Sequence, residues 1–190
     1  MNSLIDGGDF LINSLFSLYI LCLLIRFWMH INNADFRNPV GNFLVQISNP
    51  LLLPFKKLIS SSRGFAIAIL FLALVFTVLK LFILLSLKGA PTGLVGLIVS
   101  AFADVIQTSI YIFLGAIIIS IISSWIAPQG GYNPFLSIVF ALSEPIMTPA
   151  RRIIPPISGI DLSPILVLIF LQLSLIVIVK PLFQLGSSLL

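Results

Sequence analysis

The sequence predicts an all-α membrane protein with about four transmembrane helices. They form two parallel repeats, each a helix, a cytoplasmic Pro-rich loop with an interfacial helix, and a second helix. Three observations predict this. First, 59% of the 190 residues are hydrophobic and only 8% are charged, with mean hydropathy +1.19. A soluble domain carries about a quarter charged residues, so this chain cannot cover itself with polar surface, and lipid is its expected solvent. Second, four apolar stretches are long enough to cross a bilayer. Third, one pattern occurs twice. Asn38-Pro39, Ser48, Pro50, Pro54 and Lys56-Lys57 return at identical spacing as Asn133-Pro134, Ser143, Pro145, Pro149 and Arg151-Arg152. Each copy follows an apolar run ending near a tryptophan, Trp28 or Trp125. The repeats run over residues 10–88 and 92–185 of a single membrane domain.

The first span is expected from Phe10 to Trp28, which at about 1.5 Å per residue crosses a hydrocarbon core of about 30 Å. The N-terminus carries Asp6 and Asp9 and no basic residue, unlike the positive start of a cleavable signal, so this span should be retained. Arg26, Trp28 and His30 close it where an aromatic ring and a snorkelling cation both suit an interface. Val40, Phe43, Leu44 and Ile47 then recur at helical spacing over a length too short to cross, which reads as an interfacial helix. Pro50 and Pro54 predict a turn after it. The second span is Phe65 to about Leu87, with Lys80 as its one charge.

From Thr92 to Ala127 the chain is apolar apart from Asp104, Gln107 and scattered hydroxyls. Counting back from Trp125 places the third span at roughly Val105–Trp125 and Asp104 at the opposite interface. Residues 92–104 either lie flat or extend the span as a tilted helix. Ser163 reads as the N-cap of the last span, with Pro164 at its first position. That span is expected from Pro164 to about Val179, with Lys180 and Pro181 ending it.

Four spans put both termini on one side and both long loops on the other. The loops hold Arg37, Lys56, Lys57, Arg63, Arg151 and Arg152. The positive-inside rule therefore predicts cytoplasmic loops and periplasmic termini.

The basic pairs admit two readings. In one, Lys56, Lys57, Arg151 and Arg152 only anchor the loops to anionic lipid, each worth about 1 kcal/mol. In the other, the prolines shape a docking surface for a membrane or cytoplasmic protein. Lys80 and Asp104 either pair across neighbouring helices or reach water separately. Gln107 and Gln172 are polar positions within spans that suit interhelical hydrogen bonds.

The lone Cys22 and the lone His30 make no metal set, and no cofactor is expected. Ser163 has no histidine base or nucleophile-elbow turn, which argues against an enzyme. There is no basic run of nucleic-acid-binding length.

The motif series Arg26-x-Trp28, Asn38-Pro39, Pro50-x-x-x-Pro54-x-Lys-Lys, then Pro145-x-x-x-Pro149-x-Arg151-Arg152-Ile-Ile-Pro with Gly159-x-Asp161-x-Ser163-Pro164, resembles the YggT family of bacterial membrane proteins. The two-copy length is similar to that of proteobacterial members. After Lys57 the first copy departs from the pattern, with LISSSRG in place of the Gly-x-Asp-x-Ser-Pro end.

The resemblance implies an inner-membrane protein linked to osmotic tolerance and potassium uptake. Chloroplast relatives assemble a cytochrome b-type haem protein. Together these imply an accessory or assembly role. On the docking reading of the loops, Arg151, Arg152 and Asp161 are expected to contact a partner or lipid headgroups. The alternative is a small homo-oligomeric channel or transport component, with Lys80, Asp104 and Gln107 at its outer mouth.

Overall fold

The computed structural model describes residues 2–58, 61–126, 133–156 and 161–190. Of the described residues 87% are helical and none is in a strand. The helices are α1 (Asn2–Ile31), α2 (Pro39–Leu58), α3 (Ser62–Leu87), α4 (Leu94–Ile126), α5 (Pro134–Ile153), α6 (Ser163–Ser174) and α7 (Lys180–Ser188), with a π-helical turn, Leu175–Val179, joining the last two. Four stretches are long and apolar enough to cross a membrane: Ile5–Ile31, Arg63–Leu87, Leu94–Ile126 and Ser163–Ser188. This is the construction of a multi-pass membrane protein.

Asparagine and proline together start α2 and α5. Asn38 Oδ1 accepts from the Gly41 N–H at 2.7 Å, and Asn133 Oδ1 from the Phe135 N–H at 3.0 Å. In each case the proline takes the first helical position, where no N–H is needed.

The turn expected at Pro50 and Pro54 is not there. Both prolines sit inside α2, as Pro145 and Pro149 sit inside α5. All four are exposed. At a spacing of four they share one helix face, so each helix keeps an unbroken bonded side toward the core and loses bonds only on its outer side. One freed carbonyl has a new partner. Pro145 has no N–H to give the Ala141 carbonyl, and Asn32 Nδ2 donates to it at 3.1 Å. Asn32 lies in the α1–α2 link, so this bond fastens the two halves together.

Two other boundaries differ from expectation. α4 is one helix of 33 residues, about 50 Å long, so residues 94–104 extend the third span. Asp104 therefore lies about 15 Å inside the start of α4. The last span does not stop at Lys180-Pro181 either. The Pro181 ring would meet the carbonyl four residues back, and the widened turn lies at that place. There the Lys180 N–H bonds Leu175 O, five residues behind it.

α1 packs chiefly on α3, and α4 on α7. The α4–α7 crossing is close: a Cβ on Gly96 would stand 2.7 Å from Gly186 O, and one on Gly186 would stand 2.2 Å from Ser100 Oγ. One core joins Leu23, Leu24, Ile69 and Leu72 to Ile112 of α4 and Leu142 of α5. A second gathers Phe113, Ile117, Met147, Val167 and Leu171. The Trp28 ring meets Phe113 edge-on at 4.7 Å and links the two. Large apolar side chains such as Phe10, Ile67, Phe170 and Val177 point outward, which suits a hydrocarbon surrounding.

Candidate functional site

α5 is amphipathic. Ile138, Val139, Leu142, Ser143, Met147 and Ala150 form its buried side, at the three- and four-residue spacing of one helix face. Its last turn carries Arg151 and Arg152, where the negative end of the helix dipole favours cations.

The two arginines behave differently. Arg151 turns back along its own helix: Nη1 reaches Glu144 Oε1 at 3.0 Å and Oε2 at 2.8 Å. Its Nε donates to Asp161 Oδ2 at 2.8 Å, tying α5 to the start of α6. Hydrogen bonds to Asp161 and then Glu144 push the Arg151 guanidinium above its ordinary range, so it stays charged. Arg152 is exposed.

Asp161 takes the capping role expected of Ser163. The N-cap of α6 is Leu162, with no side-chain bond of its own. Asp161 Oδ1 instead accepts from the Ser163 N–H at 2.9 Å and from its hydroxyl at 2.6 Å. Carboxylate acceptance holds the helix start more strongly than a neutral hydroxyl would. Burial raises the Asp161 carboxyl, but hydrogen bonds from Ser163 and Arg151 outweigh it and hold the group below its ordinary value. Ser163 is fully buried, with its proton committed to Asp161.

Beside this cluster is a groove of about 500 Å³ between α4, α5 and α6, walled by Ser120, Ile121, Trp125, Phe140, Glu144 and Arg151 among others. Glu144 has no place in the sequence reading, yet it stands two turns before Arg151, and a spacing of seven puts both on one helix face.

Arg26 is also not where the sequence suggests. It is 6% exposed and does not snorkel. Its Nη1 donates to Ser48 Oγ and, at 3.4 Å, to the Val45 carbonyl, while Nη2 reaches Asn49 Oδ1 at 3.0 Å. Its guanidinium carbon lies 5.4 Å from the Phe65 ring centroid. Arg26 therefore holds α2 against α1 and α3. Lys56 and Lys57 close α2, and their side chains fall outside the described residues.

Lys80 Nζ and Asp104 Oδ2 are 2.5 Å apart, with side-chain exposures of 8% and 18%. Ser17 Oγ of α1 accepts from the same Nζ at 3.4 Å. Of the two readings the sequence leaves open, the structure shows pairing. Gln107 stays apart from the pair and donates to Tyr111 Oη at 3.1 Å. Among the described residues, no three His, Cys, Asp or Glu side chains gather as a metal set.

Comparison with known proteins adds lineage. The family model described as CCB3/YggT matches twice, over residues 7–87 and 99–182. An uncharacterized protein of Pseudomonas aeruginosa is 34% identical, covering 91% of this chain and 88% of its own length. One of Vibrio alginolyticus is 33% identical, covering 90% of this chain and 91% of its own. Escherichia coli K12 protein YggT is 26% identical, covering 85% and 84%. No solved structure matches the chain.

Proposed function

The chain belongs to the CCB3/YggT family, and we propose that it serves as a non-enzymatic accessory or assembly factor of the bacterial inner membrane. Its contact surface is the cytoplasmic face carried by α2 and α5, and its loss of function is felt under osmotic stress. The halves act as parallel repeats with both termini in the periplasm. The basic residues between spans support that orientation.

One observation carries the reading. α2 and α5 touch, and each turns a proline pair outward while burying its apolar side. A lipid anchor needs charge but no fixed shape. Here the asparagine caps, the Asn32–Ala141 bond and the Arg151–Glu144–Asp161 cluster give this face a fixed shape. Preorganisation of this kind lowers the entropic cost of binding a protein. Arg152, exposed beside the cluster, is the contact cation, and Arg151 and Asp161 position the end of α5 that bears it.

In-cell cross-linking followed by affinity purification tests this. Arg152→Glu is expected to insert normally and to lose a co-purifying protein that native protein retains. A partner set identical for native protein and variant, at matched expression, sinks the proposal.

A further inference from the structure

The two halves differ at one seat. Positions 45 and 140, 48 and 143, and 49 and 144 are counterparts, by the displacement that relates Asn38 to Asn133. In the first half, Arg26 reaches from α1 beneath α2 and donates to the Val45 carbonyl, Ser48 and Asn49. In the second half, α4 carries no Lys or Arg, so it supplies no cation. The groove of about 500 Å³ lies at this place, and its walls include Ile121, Phe140 and Glu144. The side chain that fills the seat is gone, while one acceptor is stronger, because the counterpart of Asn49 is the carboxylate of Glu144.

We infer that this groove is a binding site for a cationic group from outside the chain, and that its occupant is the headgroup of a primary-ammonium phospholipid, phosphatidylethanolamine. Three features select a lipid of this charge pattern. Glu144 and Asp161 carry two negative charges against one positive on Arg151, which leaves one for an ammonium. Glu144 Oε2 accepts from Arg151 and, at 3.5 Å, from Thr148 Oγ1, while Oε1 accepts from Arg151 alone among the described residues and has a further lone pair for an N–H donor. Arg151 uses only Nε and Nη1 among the described residues, and its Nη2 is the donor for the headgroup phosphate.

Location selects a lipid over a soluble cation. Trp125, 78% exposed, lines the groove one residue before the end of α4, and Pro164 lines it at the start of the last span. Both span ends meet there, at headgroup depth. This site lies on the membrane side of α5 and stands whether or not a protein docks on the outer side.

The test is native mass spectrometry of protein released from nanodiscs holding equal phosphatidylethanolamine and phosphatidylglycerol. Native protein is expected to retain phosphatidylethanolamine preferentially. Glu144→Gln should lower that retention about tenfold, as loss of one charge-assisted hydrogen bond implies. Ile121→Arg, which puts a guanidinium on the α4 wall of the groove, should abolish it. Circular dichroism verifies that both variants fold, and phosphatidylglycerol retention should not change. Equal retention of the two lipids by native protein overturns the inference, as does unchanged phosphatidylethanolamine retention in folded Glu144→Gln. If Ile121→Arg loses a cross-linked protein while keeping its lipid, the seat belongs to a partner's arginine and the lipid assignment falls.

Discussion

Arg26 and Asp161 show how single residues hold this molecule. Arg26 is a buried cation whose guanidinium fork meets, among the described residues, acceptors on α2. Arg26→Ala removes the donor to the Val45 carbonyl, Ser48 and Asn49 at once and is expected to cost about 2 kcal/mol. Arg26→Lys should recover only part of this, because an ammonium cannot reproduce the fork. Thermal unfolding in detergent of the three proteins reads the order. Asp161 has a pH signature. Its folded carboxyl lies below the ordinary value of 3.8, so its contribution is complete above that value and lost as pH falls through the folded one. The difference in melting temperature between native protein and Asp161→Asn should therefore be full near pH 7 and shrink below pH 3.8. A difference that stays constant to the acid limit contradicts the assignment. Asp161 is legible in the sequence from the motif that contains it, while the role of Glu144 depends on Arg151 turning back along the helix, which no sequence pattern shows.

At the scale of elements, prolines and glycines decide the geometry. Prolines read in sequence as breaks are carried inside helices here because their lost bonds fall on the outer side. Ala141 is the measurable case. Asn32→Ala should cost about 1 kcal/mol in the native background and little beside Pro145→Ala, where residue 145 regains an N–H for the same carbonyl. A double-mutant cycle by thermal unfolding measures that coupling, and a coupling near zero refutes the exchange. The α4–α7 crossing depends on contact without a Cβ. Gly96→Ala puts a methyl 2.6 Å from Leu190 N and 2.7 Å from Gly186 O. Backbone cannot swing aside as a side chain can, so a loss of about 1–3 kcal/mol is expected by the same assay. Proline after a capping residue starts a helix at Asn38-Pro39 and Asn133-Pro134, by the same sequence signature that marks Ser163-Pro164.

Across the whole molecule, the Lys80–Asp104 pair joins α3 of one half to α4 of the other, with Ser17 of α1 in reach. Removing one partner leaves an uncompensated buried charge, so Asp104→Asn should destabilise by about 3–5 kcal/mol. Replacing both together, Lys80→Met with Asp104→Leu, should recover most of that loss. Unfolding midpoints of the single and double variants decide it. If the single variant is as stable as native protein but alters ion flux in proteoliposomes, the pair serves a conduction path and not the packing of the halves.

The sequence by itself determined what depends on neighbours along the chain. It set the four apolar stretches, the amphipathic spacing of α2 and α5, and the capped starts at Asn38 and Asn133. Helices form from bonds between residues three and four apart, and their apolar faces follow the same period. Tertiary structure decided what depends on neighbours in space. It turned Arg26 inward, paired Lys80 with Asp104, gave the Ala141 carbonyl to Asn32, and moved the cap of α6 to an aspartate already held by Arg151. Each of these polar groups must find a partner once it leaves water, and which partner it finds is set only when distant helices come to lie side by side.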